Sequence, residues 1–185
     1  PNPVWNIGTC SKGVSIGPPG TGKTLCATLI GKKNGMDVYR IDLSMIVSKY
    51  IGETEKNLAN VFDQAENRNW ILFFDEADAL FGKRTSTNTS NDRHSNQEIA
   101  YLLQRIEDFP GTVVLATNLK SNIDEAFSRR FQSIIYFPMP DQDLREELWR
   151  RMLPSSWLPA DADKMIRMAA TYELSGGSIS NVIRR

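Results

Sequence analysis

The sequence holds one histidine and two cysteines, no surplus of either charge, and no long apolar run. Cys10 and Cys26 make neither a disulfide framework nor a metal-ligand spacing. Cys26 reads instead as a small buried apolar residue on a helix face, and His94 as a solvated loop residue. Lys+Arg and Asp+Glu both number 22, so the formal charge cancels. No general attraction to nucleic acid or to a membrane surface follows. The short apolar runs offer neither a signal peptide nor a membrane span, which makes a reducing cytoplasm the expected location. What is present is 185 residues, 41% hydrophobic and 24% charged. That suits one soluble globular domain, or one with a small appendage.

The most informative stretch is Gly17-Pro18-Pro19-Gly20-Thr21-Gly22-Lys23-Thr24. Gly, four residues, Gly, Lys and Thr is the phosphate-loop pattern. Glycines let the backbone wrap a phosphate closely and turn its N–H groups inward. The helix that follows, with Leu25 in its first turn, adds the partial positive charge of its N-terminus. Lys23 would reach the β- and γ-phosphates of a nucleotide, and Thr24 would offer its hydroxyl to Mg²⁺. A plain Gly/Pro turn would not need all of these residues in this order.

Along the chain, residues 1–11 read as the end of an N-terminal linker. Short apolar strands are expected at 14–16, 36–43, 70–74, 112–116 and 133–137. Helices are expected at 23–33, with Leu25, Cys26, Leu29 and Ile30 on one face, and at 54–68, with Leu58, Val61, Phe62 and Ala65. A further helix carries Ile99, Leu102, Leu103 and Ile106, after a mobile polar loop over 82–96. A short helix is expected at 123–130. Alternation of strands and helices predicts an α/β fold with a three-layer α/β/α parallel sheet. Beyond Pro140 only helices are expected, at 142–152, at 162–172, and one starting near Ser178 where the sequence stops. The domains are therefore a core over 12–140 and part of a small α-helical domain over 141–185.

The apolar strand Trp70–Phe74 ends in Asp75-Glu76. Carboxylates at the carboxyl end of a buried strand lie where ligands bind in open α/β sheets. Asp75 would hold Mg²⁺ and Glu76 would polarise a water for attack on the γ-phosphate. A single acid there would read as a solvated strand end. Asp78 would cap or brace this loop and has no catalytic role.

Taken together, GPPGTGKT, ILFFDEADALF and VVLATN resemble the ATPase module of the AAA family, the protein-remodelling branch of the AAA+ P-loop NTPases. The wording is similar to bacterial members and to katanin-like proteins, and the resemblance covers nearly the whole chain. It implies that Asn118, after the strand TVVLAT, is the sensor that orients the attacking water. Asp124 to Phe131 resembles the family stretch whose paired arginines, here Arg129 and Arg130, enter a neighbour's ATP site as fingers. A basic helix end would explain one arginine more readily than two. The resemblance thus implies a homo-oligomeric ring, a hexamer, with arginine fingers in trans.

Ser48 to Glu53 resembles the first pore loop, in which Lys49, Tyr50 and Ile51 would grip an extended protein substrate. An aromatic ring suits such gripping because it wedges against any backbone. Read without the family, Tyr50 is a half-buried core residue. Residues 83–94 would correspond to a second pore loop. Gly176 and Gly177 resemble the lid segment that approaches adenine and ribose; alternatively they precede a plain helix start capped by Ser178.

The expected function is therefore Mg-dependent ATP hydrolysis coupled to unfolding, remodelling or disassembly of a protein. The rival readings are a DNA-acting AAA+ helicase or loader and a nucleotide-gated scaffold. Neutral charge and Tyr50 argue against the first, while Asp75, Glu76 and Asn118 argue against the second. Three features depart from the family: a short strand before Gly17, a partial N-terminal segment, and a lid without its later helices.

Overall fold

The computed structural model describes residues 11–44, 53–81, 90–118, 130–157 and 161–185. Its elements in order are β1 (Lys12–Ile16), α1 (Lys23–Asn34), β2 (Val38–Asp42), α2 (Glu53–Arg68), β3 (Ile71–Asp75) and α3 (Asp78–Phe81). They continue with α4 (Ser90–Asp108), β4 (Thr112–Thr117), β5 (Ser133–Tyr136), α5 (Gln142–Met152), α6 (Ala162–Ala170) and α7 (Gly176–Ile183). The strands form one sheet in the order β2-β3-β4-β1-β5. The pairs β2/β3, β3/β4 and β1/β4 are parallel.

The apolar run of β3 is explained by burial on both faces, the usual condition of a central parallel strand. Leu72 and Phe74 point to one side, into a core with Leu58, Phe62 and Ala65 of α2 and Leu102 and Ile106 of α4. Ile71 and Phe73 point to the other, where Ala27 of α1 completes a smaller cluster with Val114 and Ala116. Side chains alternate across a strand, so one continuous run supplies both layers. The result is the three-layer α/β/α arrangement expected from the alternation of strands and helices.

Two expectations that concern α1 and α4 are corrected. The buried face of α1 is not the one that holds Leu25 and Leu29, which are 62% and 56% exposed. Ala27 and Gly31 face inward instead. A Cβ on Gly31 would come within 2.5 Å of Val38 Cγ2 and 2.7 Å of the Met36 carbonyl oxygen. The helix lies so close to the sheet that small residues fill the contact, and of the expected stripe Ile30 packs against this cluster. The second correction concerns the polar loop, because α4 already begins at Ser90. Residues 90–96 contain no Gly or Pro to break a helix, and Ser, Asn and Asp are well suited to its first turns.

The chain divides into two compact units, Pro1–Ile16 with Thr24–Ile135, and Gly17–Lys23 with Tyr136–Arg185. In the second unit, α5 is capped by Asp141, whose carboxylate accepts from Leu144 N–H at 2.8 Å. Trp149, Ile166, Ala170 and Ile179 form its core. Arg145 is buried there and donates to the carbonyls of Ala170 (2.7 Å) and Pro140 (2.6 Å). Those bonds satisfy two carbonyls that burial would otherwise leave unpaired. The helix α7 starts at Gly176 and is capped by Ser175, not by Ser178; Ser178 supplies the N–H that Ser175 accepts, at 3.3 Å.

Candidate functional site

The carboxyl ends of β3 and β4 lie side by side, with Phe74 opposite Leu115 in the register. Next to β4, β1 runs parallel to it and places Ile16 opposite Thr117. The expected acids and the expected sensor therefore leave the sheet at one edge. At that edge Glu76 takes a positive φ of 53°. A non-glycine residue in this region is strained and is held there only by its surroundings. The holding bonds are clear. Glu76 N–H donates to Asp75 Oδ1 at 3.0 Å, and Ala77 N–H donates to the Ala116 carbonyl at 2.8 Å. Ala77 is fully buried, so the chain must turn sharply at Glu76 to seat it.

Asn118 joins the two acids of this turn. Its amide donates to Glu76 Oε2 at 3.3 Å and to Asp78 Oδ2 at 3.4 Å. Asp78 Oδ1 also accepts from the Asn118 backbone N–H at 3.0 Å and from the hydroxyl of the fully buried Thr117. Asp78 is thus the brace that orients Asn118 toward Glu76. The bracing was legible in the sequence, but the partner was not. Thr117 gave no signal beyond being polar at the end of an apolar strand.

Asp75 has both carboxylate oxygens engaged. Oδ1 takes the Glu76 N–H, and Oδ2 takes a guanidinium N–H of Arg40 at 2.6 Å. Arg40 lies on β2 opposite Phe73 and so reaches Asp75 diagonally across the strand pair. Nothing in the sequence reading singled it out.

The segment Gly17–Lys23 is knit to itself and to α7. Gly20 and Gly22 have φ of 76° and 103°, a region that side chains rarely tolerate. Thr21 donates its hydroxyl to the Pro18 carbonyl at 2.8 Å. Lys23 is buried, and its ammonium donates to the carbonyls of Gly17 (2.5 Å) and Pro18 (2.9 Å). Gly177 N–H donates to the Gly20 carbonyl at 2.9 Å. A Cβ on Gly177 would lie 3.0 Å from Gly20 Cα, so a bare backbone is needed for this approach. The two glycines of α7 therefore meet the turn that contains Pro19 and Gly20.

The chain is similar to known proteins in sequence and in fold. Residues 14–139 match the family model described as the ATPase family associated with various cellular activities (AAA). The chain belongs to the AAA ATPase family. It is 36% identical over 133 residues to an uncharacterized AAA family ATPase of Sinorhizobium fredii, covering 71% of this chain and 40% of that protein. It is 37% identical over 176 residues to vacuolar protein sorting-associated protein 4B of Mus musculus, covering 91% of this chain and 39% of that protein. A solved chain from a study of katanin self-assembly superposes with a TM-score of 0.72 at 28% identity, covering 94% of this chain and 56% of that one. The AAA chain thus spans about two-fifths of the length of these curated relatives.

Other expected site residues of this AAA chain fall as follows. Thr24 and Leu25 lie in the first turn of α1. Arg130 pairs with Glu107 at 2.8 Å, both side chains being partly exposed. Arg129 lies outside the described residues, as do Lys49, Tyr50 and Ile51 and residues 123–129 of the short helix expected at 123–130. Cys26 is half-buried, and that burial pushes its thiol above the ordinary range, which suits a packing residue and not a nucleophile. Among the described residues no cluster of three His, Cys, Asp or Glu would hold a metal alone. The hard oxygens of Asp75 and Thr24 nevertheless suit Mg²⁺, which commonly takes one or two protein ligands and completes its shell with phosphates and water. Among the described residues no helix is long and apolar enough to cross a membrane.

Proposed function

We propose that this chain is the ATP-hydrolysing module of a ring-forming AAA protein that remodels or disassembles a protein substrate. The observation that carries the reading is the bond from the Asn118 amide to Glu76, made at a strained turn on the carboxyl edge of the sheet. Strain and interlocking hydrogen bonds are expected where a general base must be held in one position.

In this reading the backbone of residues 17–22 cradles the phosphates of ATP, and the Lys23 ammonium exchanges its two carbonyl partners for the β- and γ-phosphate oxygens. Glu76 accepts a proton from the attacking water. The Asn118 amide, steered by Asp78, fixes the direction of that water. Bound Mg²⁺, held through Thr24 and Asp75, would supply positive charge against the phosphates. Gly176 and Gly177, on the small helical domain over 141–185, would approach the adenine and ribose. Arg129 and Arg130 would act on the ATP of the next subunit in a homo-hexamer, and Lys49, Tyr50 and Ile51 would grip the protein substrate. The core over 12–140 would thus carry the hydrolytic residues, and the cytoplasm would be its place of work.

Two measurements check this assignment. Asn118→Ala is expected to lower the ATP turnover number by about 10²-fold while nucleotide affinity changes little, because only the water would lose its guide. An equal loss of nucleotide affinity would place Asn118 in binding instead. Tyr50→Ala is expected to leave ATP turnover within about twofold of the parent and to stop processing of a protein substrate. Full processing by that variant would remove Tyr50 from the gripping role.

A further inference from the structure

The Asp75 carboxylate would be expected to meet a cation of the nucleotide, yet in this fold it already has one. Arg40 reaches it from the neighbouring strand with a 2.6 Å bond, while the Asp75 side chain is only 13% exposed. The other oxygen is tied to the Glu76 backbone. A carboxylate whose oxygens are both engaged presents a divalent ion with a rival positive charge and a partner to displace. Arg40 itself is anchored loosely, with its side chain 59% exposed. A guanidinium with that freedom can swing back into water when a divalent ion takes its place, so its own charge is not left buried without a partner.

We propose that Arg40 is a positioning residue, a counter-ion that occupies Asp75 Oδ2 and must yield to the divalent cation that arrives with the nucleotide. The inference rests on the assignment of Asp75 as the metal-holding acid. Its consequence is that Arg40 holds the carboxylate in one orientation while keeping the cation affinity of the site low. Tight metal occupancy then depends on the added charge of the nucleotide phosphates. Arg40 also lies on β2, the strand that leads toward the pore-loop segment at 48–53. The release of its guanidinium would therefore occur on that same strand.

The test is the dissociation constant of Mn²⁺, read by electron paramagnetic resonance in the presence of ADP, so that turnover plays no part. Arg40→Ala is expected to tighten Mn²⁺ by about three- to fivefold, and Arg40→Lys to stay close to the parent. Arg40→Gln keeps most of the side-chain length without the charge and is expected to follow Arg40→Ala. Its use, with a thermal melt, separates charge loss from misfolding. The gain is also expected to shrink as salt is raised, because the competing charge is partly exposed. Unchanged or weaker Mn²⁺ binding in both neutral variants would overturn the role of Arg40. Asp75→Asn is the control for the underlying assignment. Parent-like Mn²⁺ binding in that variant would overturn Asp75 as the metal acid, whereas weakened binding together with no response to Arg40→Gln would overturn the counter-ion role alone.

Discussion

Glu76→Gln is expected to bind ATP like the parent and to hydrolyse it about 10²- to 10⁴-fold more slowly, the range in which positioned general bases contribute. The substitution is nearly isosteric, and the amide oxygen of Gln can still accept from Asn118. The turn at Glu76 is set by the backbone bonds of residues 76 and 77, which the change does not touch. A loss of rate would therefore be a loss of proton acceptance and not of shape. Equilibrium nucleotide binding and single-turnover hydrolysis separate the two. Turnover within tenfold of the parent would remove Glu76 as the base.

The second large effect concerns Arg130. Its bond to Glu107 joins two side chains that are 45% and 41% exposed, so the pair contributes little to stability and the guanidinium can be surrendered to another partner. Arg130→Ala is expected to lower turnover by about 10³-fold or more, the scale of an arginine finger, while the fold survives. The decisive version mixes subunits. Arg130→Ala keeps an intact phosphate loop, and Lys23→Ala keeps its arginines, so a mixed ring contains interfaces with both parts in place. Such mixtures are expected to hydrolyse ATP faster than either variant alone. Mixtures no faster than the average of the two would mean that Arg130 acts within its own subunit or not at all.

Much of this arrangement was legible because it follows from short-range chemistry. Trp70–Phe74 reads as a central strand, and β3 (Ile71–Asp75) is buried on both faces. Gly20 and Gly22 sit at backbone angles that favour glycine. Asn118, by contrast, is pointed to only by the family resemblance, and its bond to Glu76 spans 42 positions. What escaped the reading depends on distance between elements. The leucines of α1 look like a core stripe, but the helix packs so tightly against Val38 and Met36 that Gly31 takes the inner position. Ser90 begins a helix although its surroundings look like a loop. The Arg40–Asp75 pair joins residues 35 positions apart, a contact created only by the pairing of β2 with β3. No local pattern announces such a partner. Asp78 lies between these cases: its position suggests a brace, while its bonds to Thr117 and Asn118 require the register of β3 against β4.

The claim beneath all of these roles is that each ATP is cleaved by two chains together. Specific ATPase activity measured against protein concentration, with the oligomeric state followed by sedimentation, tests it most directly. Activity per chain is expected to be low in dilute protein and to rise steeply as rings assemble. Constant activity per chain across monomer and ring, or no ATP hydrolysis by the assembled ring, would contradict it.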